Sequence, residues 1–246
     1  MKKKSKISSV IVIGGSDPSG GAGIQADLQV LNYLQIKSYS VITAITAQND
    51  KKFLRWESVS LKLFKEQLDS LDTFASTSVI KIGMIGESKL IPLLKKWLQQ
   101  HRPPFVILDP VLSSSTGKVL WKGNLDSLKN LFPFLNLLTP NLKEAEKLTQ
   151  VSIHSFEEMK KSCLSLSYQK VESVLLKGGH FNGNPIDLLY HQKEFKHWTQ
   201  ERIPKEVHGT GCTLASAIAG YIAKGDALKS AIQKARKIVL RKILEA

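Results

Sequence analysis

The sequence predicts an α/β fold, with a mostly parallel central sheet and helices on both of its faces. Three observations lead there. Short apolar runs alternate with amphipathic stretches from end to end. Polar or glycine residues follow those runs, at Asp17, Gln48-Asn49, Asp109, Thr139–Asn141 and Lys177-Gly178-Gly179. No internal repeat, low-complexity tract or Pro/Gly/Ser linker interrupts the 246 residues, so residues 1–246 read as one domain.

The elements follow in order. Val10–Ile13 is a short buried-strand run, and Ile24, Leu28, Leu31 and Leu34 repeat at helical spacing. Tyr39–Ile45 is rich in strand formers, and Leu61, Phe64, Leu68 and Leu71 make a helical face. Val79–Gly83 is a strand, Leu90–Leu98 a helix with Pro92 near its start, and Phe105–Leu108 a strand ending in Asp109-Pro110. Leu135–Leu138 is a strand ending in Thr139-Pro140, followed by helices over Asn141–Thr149 and Phe156–Tyr168. Ser173–Leu176 is a strand. Ile186–Tyr190 and Glu194–Trp198 form a hairpin across His191-Gln192-Lys193, and helices over Gly211–Lys224 and Asp226–Leu244 close the chain. In such sheets ligands bind beyond the carboxyl ends of the strands, where these polar residues gather.

Composition narrows the class. Two cysteines, Cys163 and Cys212, make neither a disulfide framework nor a metal cluster, which fits a reducing cytoplasm. The basic start Met1–Lys6 imitates a signal peptide, but the apolar Val10–Ile13 behind it is too short for an export core. No stretch approaches a membrane span. The net charge of +14 suits an anionic small substrate or simply solvated lysines. A nucleic-acid module would rest on that charge alone, with no arginine-rich stripe or binding motif behind it.

The glycine-rich run Gly14–Gly23 follows a strand and opens a helix. Gly15 to Gly20 has the spacing of a P-loop, but Gly21-Ala22 stands where the Lys and hydroxyl belong. Gly21–Ala26 fits the dinucleotide fingerprint, yet the second strand carries no ribose-binding acid. A nicotinamide-dependent oxidoreductase would rest on that fingerprint alone. Asp17 and Asp27 could instead hold a small polar substrate, or the loop could be purely structural.

The segment Val207–Leu214 packs two glycines, a hydroxyl and a thiol ahead of a small-residue apolar helix. Glycines there turn backbone N–H groups toward an anion, and the helix dipole adds positive charge. Cys212 lies in the first turn, where a thiol pKa is expected to fall. The segment reads either as an anion hole with a proton-handling group or as a glycine-containing helix start with a small buried Cys.

Seven motifs in order, over about 200 residues, resemble the phosphomethylpyrimidine kinases of thiamine biosynthesis in the ribokinase-like superfamily. They are residues 15–27 (Gly-Ser-Asp-Pro-Ser-Gly-Gly-Ala-Gly-Ile-Gln-Ala-Asp), Ser40–Asn49, Lys81–Met84, Asp109–Val111, Thr139–Ala145, Lys177–His180 and His208–Leu214. The resemblance implies a ribokinase-like three-layer α/β/α sandwich. It also implies ATP- and Mg2+-dependent phosphorylation of hydroxymethylpyrimidine and then of its monophosphate. A pyridoxine or pyridoxal kinase is the nearest alternative. A pyrimidine substrate, a nucleotide and a homodimer are the implied partners.

By this resemblance Gly15, Asp27, Gln48, Met84 and Val111 line the pyrimidine pocket. Asp109, Asn141 and Glu144 serve Mg2+, and Asn141 and Glu144 read equally well as a helix capping box. Lys177, Thr139, Asn141, Gly209 and Gly211 meet the nucleotide. The N–H groups of Gly209, Thr210, Gly211 and Cys212 stabilise the transferring phosphoryl group together with Lys177, and Cys212 assists the acceptor oxygen in place of the superfamily's usual Asp. The sequence departs from the family pattern at Glu206-Val207, at Leu112–Gly117 and in the short basic stretch Asp50–Trp56 of the lid region.

Overall fold

The structure, a computed structural model, describes Ile7 and residues 9–49, 52–114, 117–179, 184–205 and 207–245. The start Met1–Lys6, Asp50, the Ser115-Thr116 pair, His180 and Glu206 lie outside the described residues.

Val10, Val12, Val79, Ile107, Leu137 and Leu175 point to one side of the sheet, while Ile11, Ile13, Ile80, Ile82, Leu108 and Leu176 point to the other. Strands apolar on both faces need a helical layer on each. One layer holds α1 (Gly23–Tyr33), α7 (Thr210–Ala223) and α8 (Leu228–Glu245). The other holds α2 (Leu61–Asp69), α3 (Asp72–Ala75), α4 (Ile91–His101), α5 (Leu142–Thr149) and α6 (Phe156–Tyr168). The architecture is the expected three-layer α/β/α sandwich.

Among the described residues the sheet has nine strands. In chain order they are β1 (Ser9–Ser16), β2 (Ser38–Gln48), β3 (Phe53–Ser58), β4 (Ser78–Ile82), β5 (Phe105–Leu108), β6 (Leu137–Leu138), β7 (Val174–Leu176), β8 (Ile186–His191) and β9 (Glu194–Thr199). Their spatial order is β3-β2-β1-β4-β5-β6-β7-β8-β9. The run from β2 to β7 is parallel, and β3, β8 and β9 add antiparallel edges. The order reverses between β1 and β4, which opens a crevice beyond their carboxyl ends.

The hairpin turns more tightly than the sequence reading had it: His191 belongs to β8, and Gln192-Lys193, both at positive φ, make a two-residue turn. Gly14, Gly15 and Ser16 belong to β1, so the glycine-rich loop proper is Asp17–Ala22. Four elements were not foreseen: β3, α3 and the 3-10 segments over Ser88–Leu90 and Leu125–Phe134. In β3 only Trp56 is buried, and its indole N–H donates to the Val119 carbonyl at 3.1 Å. Phe53–Trp56, part of the Asp50–Trp56 stretch placed in the lid region, lies in this edge strand.

Candidate active site

Helix α7 packs across β1, β4 and β5, so its first turn rises at the crevice. Gly209, at φ 78°, is its N-cap and makes no side-chain cap. The first hydrogen bond joins Thr213 N–H to the Gly209 carbonyl at 2.9 Å. The N–H groups of Thr210, Gly211 and Cys212 therefore have no acceptor within the helix, and their residues are partly accessible. Of the two readings of this segment, both keep an uncapped helix start, and that start is what the geometry displays.

Charged side chains stand beside it. Lys177, following β7, pairs with Asp109, following β5. Asp109 is buried, and Thr139 donates its hydroxyl to the same carboxylate oxygen at 3.1 Å. A Cβ on Gly211 would lie 3.2 Å from Lys177 Nζ and 3.6 Å from Asp109 Oδ2. The site thus brings Lys177, Asp109 and the first turn of α7 together. Thr139 is fully buried and orients Asp109, so it offers the nucleotide no surface, contrary to its expected role.

Asn141 and Glu144 form a reciprocal capping box on α5. The Asn141 side chain accepts from Glu144 N–H at 2.9 Å, and Glu144 accepts from Asn141 N–H at 2.8 Å. Of the two readings of this pair, the cap is the one the geometry displays. Glu144 is buried near Asp109. Burial pushes its carboxyl up to about 7, with Lys177 pulling the other way and Asp109 adding to the rise.

Among the described residues no three His, Cys, Asp or Glu side chains converge as they would around a fully protein-held ion. The hard donors that remain are the Asp109 and Glu144 carboxylates. Mg2+ characteristically takes one or two carboxylates, with water and phosphate completing its shell, so this donor set fits it. The Asn141 amide oxygen is engaged in the cap, which corrects its expectation as a ligand.

The apolar half of the site lies between β1, β2 and β4. Ala44, Trp56, Met84 and Leu120 form a small buried cluster, with Phe53 and Val111 packed against it. A Cβ on Gly15 would come within 2.8 Å of Met84 Sδ, so Gly15 is the wall on which the thioether rests. Gln48 ends β2 opposite Phe53 and is partly accessible. Gly15, Met84, Val111 and Gln48 are thus brought to one end of the crevice. Asp109 and Val111, two residues apart, link it to the charged half.

Two carboxylates differ from expectation. Asp27 is fully buried. It accepts from Lys81 at 2.7 Å and from Ser216, one turn below Cys212 on α7, also at 2.7 Å. Both of its oxygens are engaged, so it ties α1, β4 and α7 together beneath the cleft instead of lining the pocket. Asp17 is likewise buried and braces its own loop, accepting from Ser19 N–H at 3.0 Å and Ala22 N–H at 2.9 Å. It also meets His208 Nε2 at 3.3 Å, which fastens the glycine-rich loop to the segment before α7.

Lys81 entered the sequence reading only as the first residue of a family motif, with no role. It sits inside the apolar run of β4, 1% exposed, and its Asp27 partner holds it charged against the cost of burial. A Cβ on Gly83 would stand 2.9 Å from Lys81 Nζ, so that glycine leaves room for the ammonium group. A lysine flanked by Ile80 and Ile82 and followed by Gly83 was the available signal.

Cys212 corrects another expectation. Its thiol lies among Asp27, Lys81 and Asp109, with the Gly23 N–H at the start of α1 directed to it. Burial and the two carboxylates outweigh Lys81 and the helix start, and push the thiol up to about 11.

The family profile described as phosphomethylpyrimidine kinase matches residues 17–246. The chain belongs to the phosphomethylpyrimidine kinase family. Among curated relatives of this family member, the thiamine biosynthesis bifunctional protein ThiED of Geobacter sulfurreducens is 39% identical over 235 residues, covering 94% of this chain. The chain spans 48% of that relative's length. Among solved structures, the phosphomethylpyrimidine kinase of Clostridium difficile 630 has a TM-score of 0.83 at 33% identity, covering 96% of this chain and 99% of that one. The pyridoxal kinase of Staphylococcus aureus, solved with AMP-PCP and pyridoxal, has a TM-score of 0.87 at 28% identity, covering 96% and 88%. Among the described residues no helix is long and apolar enough to cross a membrane.

Proposed function

We propose that residues 1–246 act as one kinase domain that transfers the γ-phosphoryl group of ATP to the hydroxymethyl group of 4-amino-5-hydroxymethyl-2-methylpyrimidine, and then to the resulting monophosphate. One observation carries the reading. The uncapped first turn of α7 stands beside the Lys177–Asp109 pair, while Gly15, Met84, Val111 and Gln48 stand at the other end of the same crevice. An anion hole and an apolar wall are what an enzyme needs to bring a phosphate to a ring-borne hydroxyl.

The residues take these parts. Met84 and Val111 receive the faces of the pyrimidine ring, and Gln48 donates and accepts along its aminopyrimidine edge. Lys177 and the N–H groups of Gly209–Cys212 stabilise charge on the transferring phosphoryl group. Its loose transition state is governed by positioning and charge more than by base strength. Asn141, next to Lys177 on an isolated parallel bridge, meets the nucleotide. Asp109 and Glu144 are the carboxylates that would hold Mg2+, which would supply positive charge beside the phosphates. Cys212 takes the acceptor proton through its thiolate fraction. Two such chains pair as a homodimer in the cytoplasm.

A vitamin B6 kinase is the second reading, favoured by the TM-score of 0.87 to the pyridoxal kinase. ADP release with hydroxymethylpyrimidine, its monophosphate, pyridoxine or no acceptor separates the two. Turnover with both pyrimidines above pyridoxine supports the first reading, and preference for pyridoxine replaces it with the second.

A further inference from the structure

The last helix reaches the site. The ammonium of Lys242, near the end of α8, donates to the Gly21 carbonyl at 3.2 Å and to Thr213 Oγ1 at 3.2 Å. Gly21 belongs to the glycine-rich loop, and Thr213 to the first turn of α7. These two segments already touch with no room for side chains. A Cβ on Gly209 would stand 1.9 Å from the Gly21 oxygen, and one on Gly21 would stand 2.9 Å from His208 Cδ2.

The placement of this cation is unusual. Lys242 is half-buried, and among the described residues no carboxylate lies within ion-pairing distance of it. Its acceptors are a carbonyl and a hydroxyl. It stands near the start of α7, where the helix dipole disfavours a positive charge, and burial pulls its pKa down. The last turn of its own helix α8 welcomes a cation, but that would be satisfied equally by a side chain extended into water. An ammonium drawn inward onto two neutral acceptors from different segments joins those segments.

We infer that Lys242 is a positioning residue for phosphoryl transfer, a staple from the C-terminal helix that holds the glycine-rich loop in register with the first turn of α7. The inference rests on the kinase reading above. Gly15, at the end of β1, carries the apolar wall, and Gly209–Cys212 carry the anion hole. The staple fixes the distance between the loop that follows the first and the turn that carries the second. Its removal misplaces the acceptor relative to the phosphoryl group without touching either, and misplacements of about 1 Å cost on the order of 10²-fold in rate.

The test compares Lys242→Met, which keeps the length of the side chain, with Lys242→Arg, which keeps the donor. Steady-state kinetics with the pyrimidine acceptor are read alongside amide hydrogen exchange of residues 20–24 and 209–213. Lys242→Met should lower kcat roughly 10- to 100-fold with acceptor KM within about two-fold, Lys242→Arg should recover most of that loss, and exchange should quicken in both segments of the Met variant. Thr213→Val removes the second acceptor without altering the lysine. It should give a similar but smaller loss that does not add to that of Lys242→Met. Unchanged exchange in both segments, or additive losses in the double variant, overturn the staple. The exchange measurement needs no turnover, so it judges the staple even if the wild-type chain phosphorylates no pyrimidine and the kinase reading fails.

Discussion

Gly209 and Gly21 are interlocked: a Cβ on Gly209 would stand 1.9 Å from the Gly21 carbonyl oxygen. Gly209 also holds φ 78°, a conformation that side-chain-bearing residues rarely adopt. Gly209→Ala therefore meets a backbone clash and a strained φ together. It should displace the start of α7 and lower turnover by at least about 10²-fold. Circular dichroism should still report a folded chain, with its melting point reduced by several degrees. Wild-type turnover in this variant would mean that the anion hole lies elsewhere.

The buried Asp27–Lys81 pair yields a stability prediction. Removing one partner leaves an uncompensated buried charge, which typically costs about 3–5 kcal/mol. Asp27→Asn and Lys81→Met should each fall in that range by urea unfolding, and the double variant should lose much less than their sum. Additive losses would show that the two groups do not sense each other. Unchanged pyrimidine affinity in whatever folded Asp27→Asn is recovered would agree with a carboxylate beneath the pocket wall.

Cys212 predicts a pH profile. With its thiol pushed up to about 11, the thiolate fraction at neutral pH is small and grows about tenfold per pH unit. Single-turnover rates should climb steadily from pH 7 to 9 in the wild type and stay flat in Cys212→Ala. That variant should also lose on the order of 10² in rate at fixed pyrimidine affinity. A flat wild-type profile would remove Cys212 from proton transfer and leave its N–H as its contribution.

Glu144 predicts a pH-dependent stability. Its folded pKa, about 7, lies above the ordinary 4.5, so the folded state binds the proton more tightly than the unfolded chain. This contribution is full below about pH 4.5 and is lost as pH rises to about 7. Glu144→Gln should flatten the stability profile of the ligand-free chain across that window, read by urea midpoints at several pH values. An unchanged slope would assign the proton to another group.

Much of the fold was legible because the strands carry apolar residues on both faces and end in polar ones. Val10–Ile13 and Phe105–Leu108 are examples. Edge strand β3 was not, because only Trp56 of Phe53–Ser58 is buried and no alternating run marks it. The sequence marked a position wherever backbone limits the residue type, as at Gly209 with its φ of 78°, whereas Lys177 was marked only by the family motif. The site was not legible where partners distant in sequence decide. Asp27 has the type of a ligand, but Lys81, 54 positions away, and Ser216, 189 away, engage it. Cys212 lies at a helix start, which alone would lower its pKa, yet burial, with Asp27 and Asp109 adding to it, reverses the sign. Such reversals come from packing, and local sequence carries no record of it.

Phosphorus NMR of the chain with ATP, Mg2+ and hydroxymethylpyrimidine tests the central claim most directly, because it identifies each product. The account predicts that a pyrimidine monophosphate signal rises first, that a diphosphate signal follows at its expense, and that both vanish with Lys177→Ala. ATP consumption without any pyrimidine phosphate, or efficient phosphorylation of pyridoxine in its place, would contradict it.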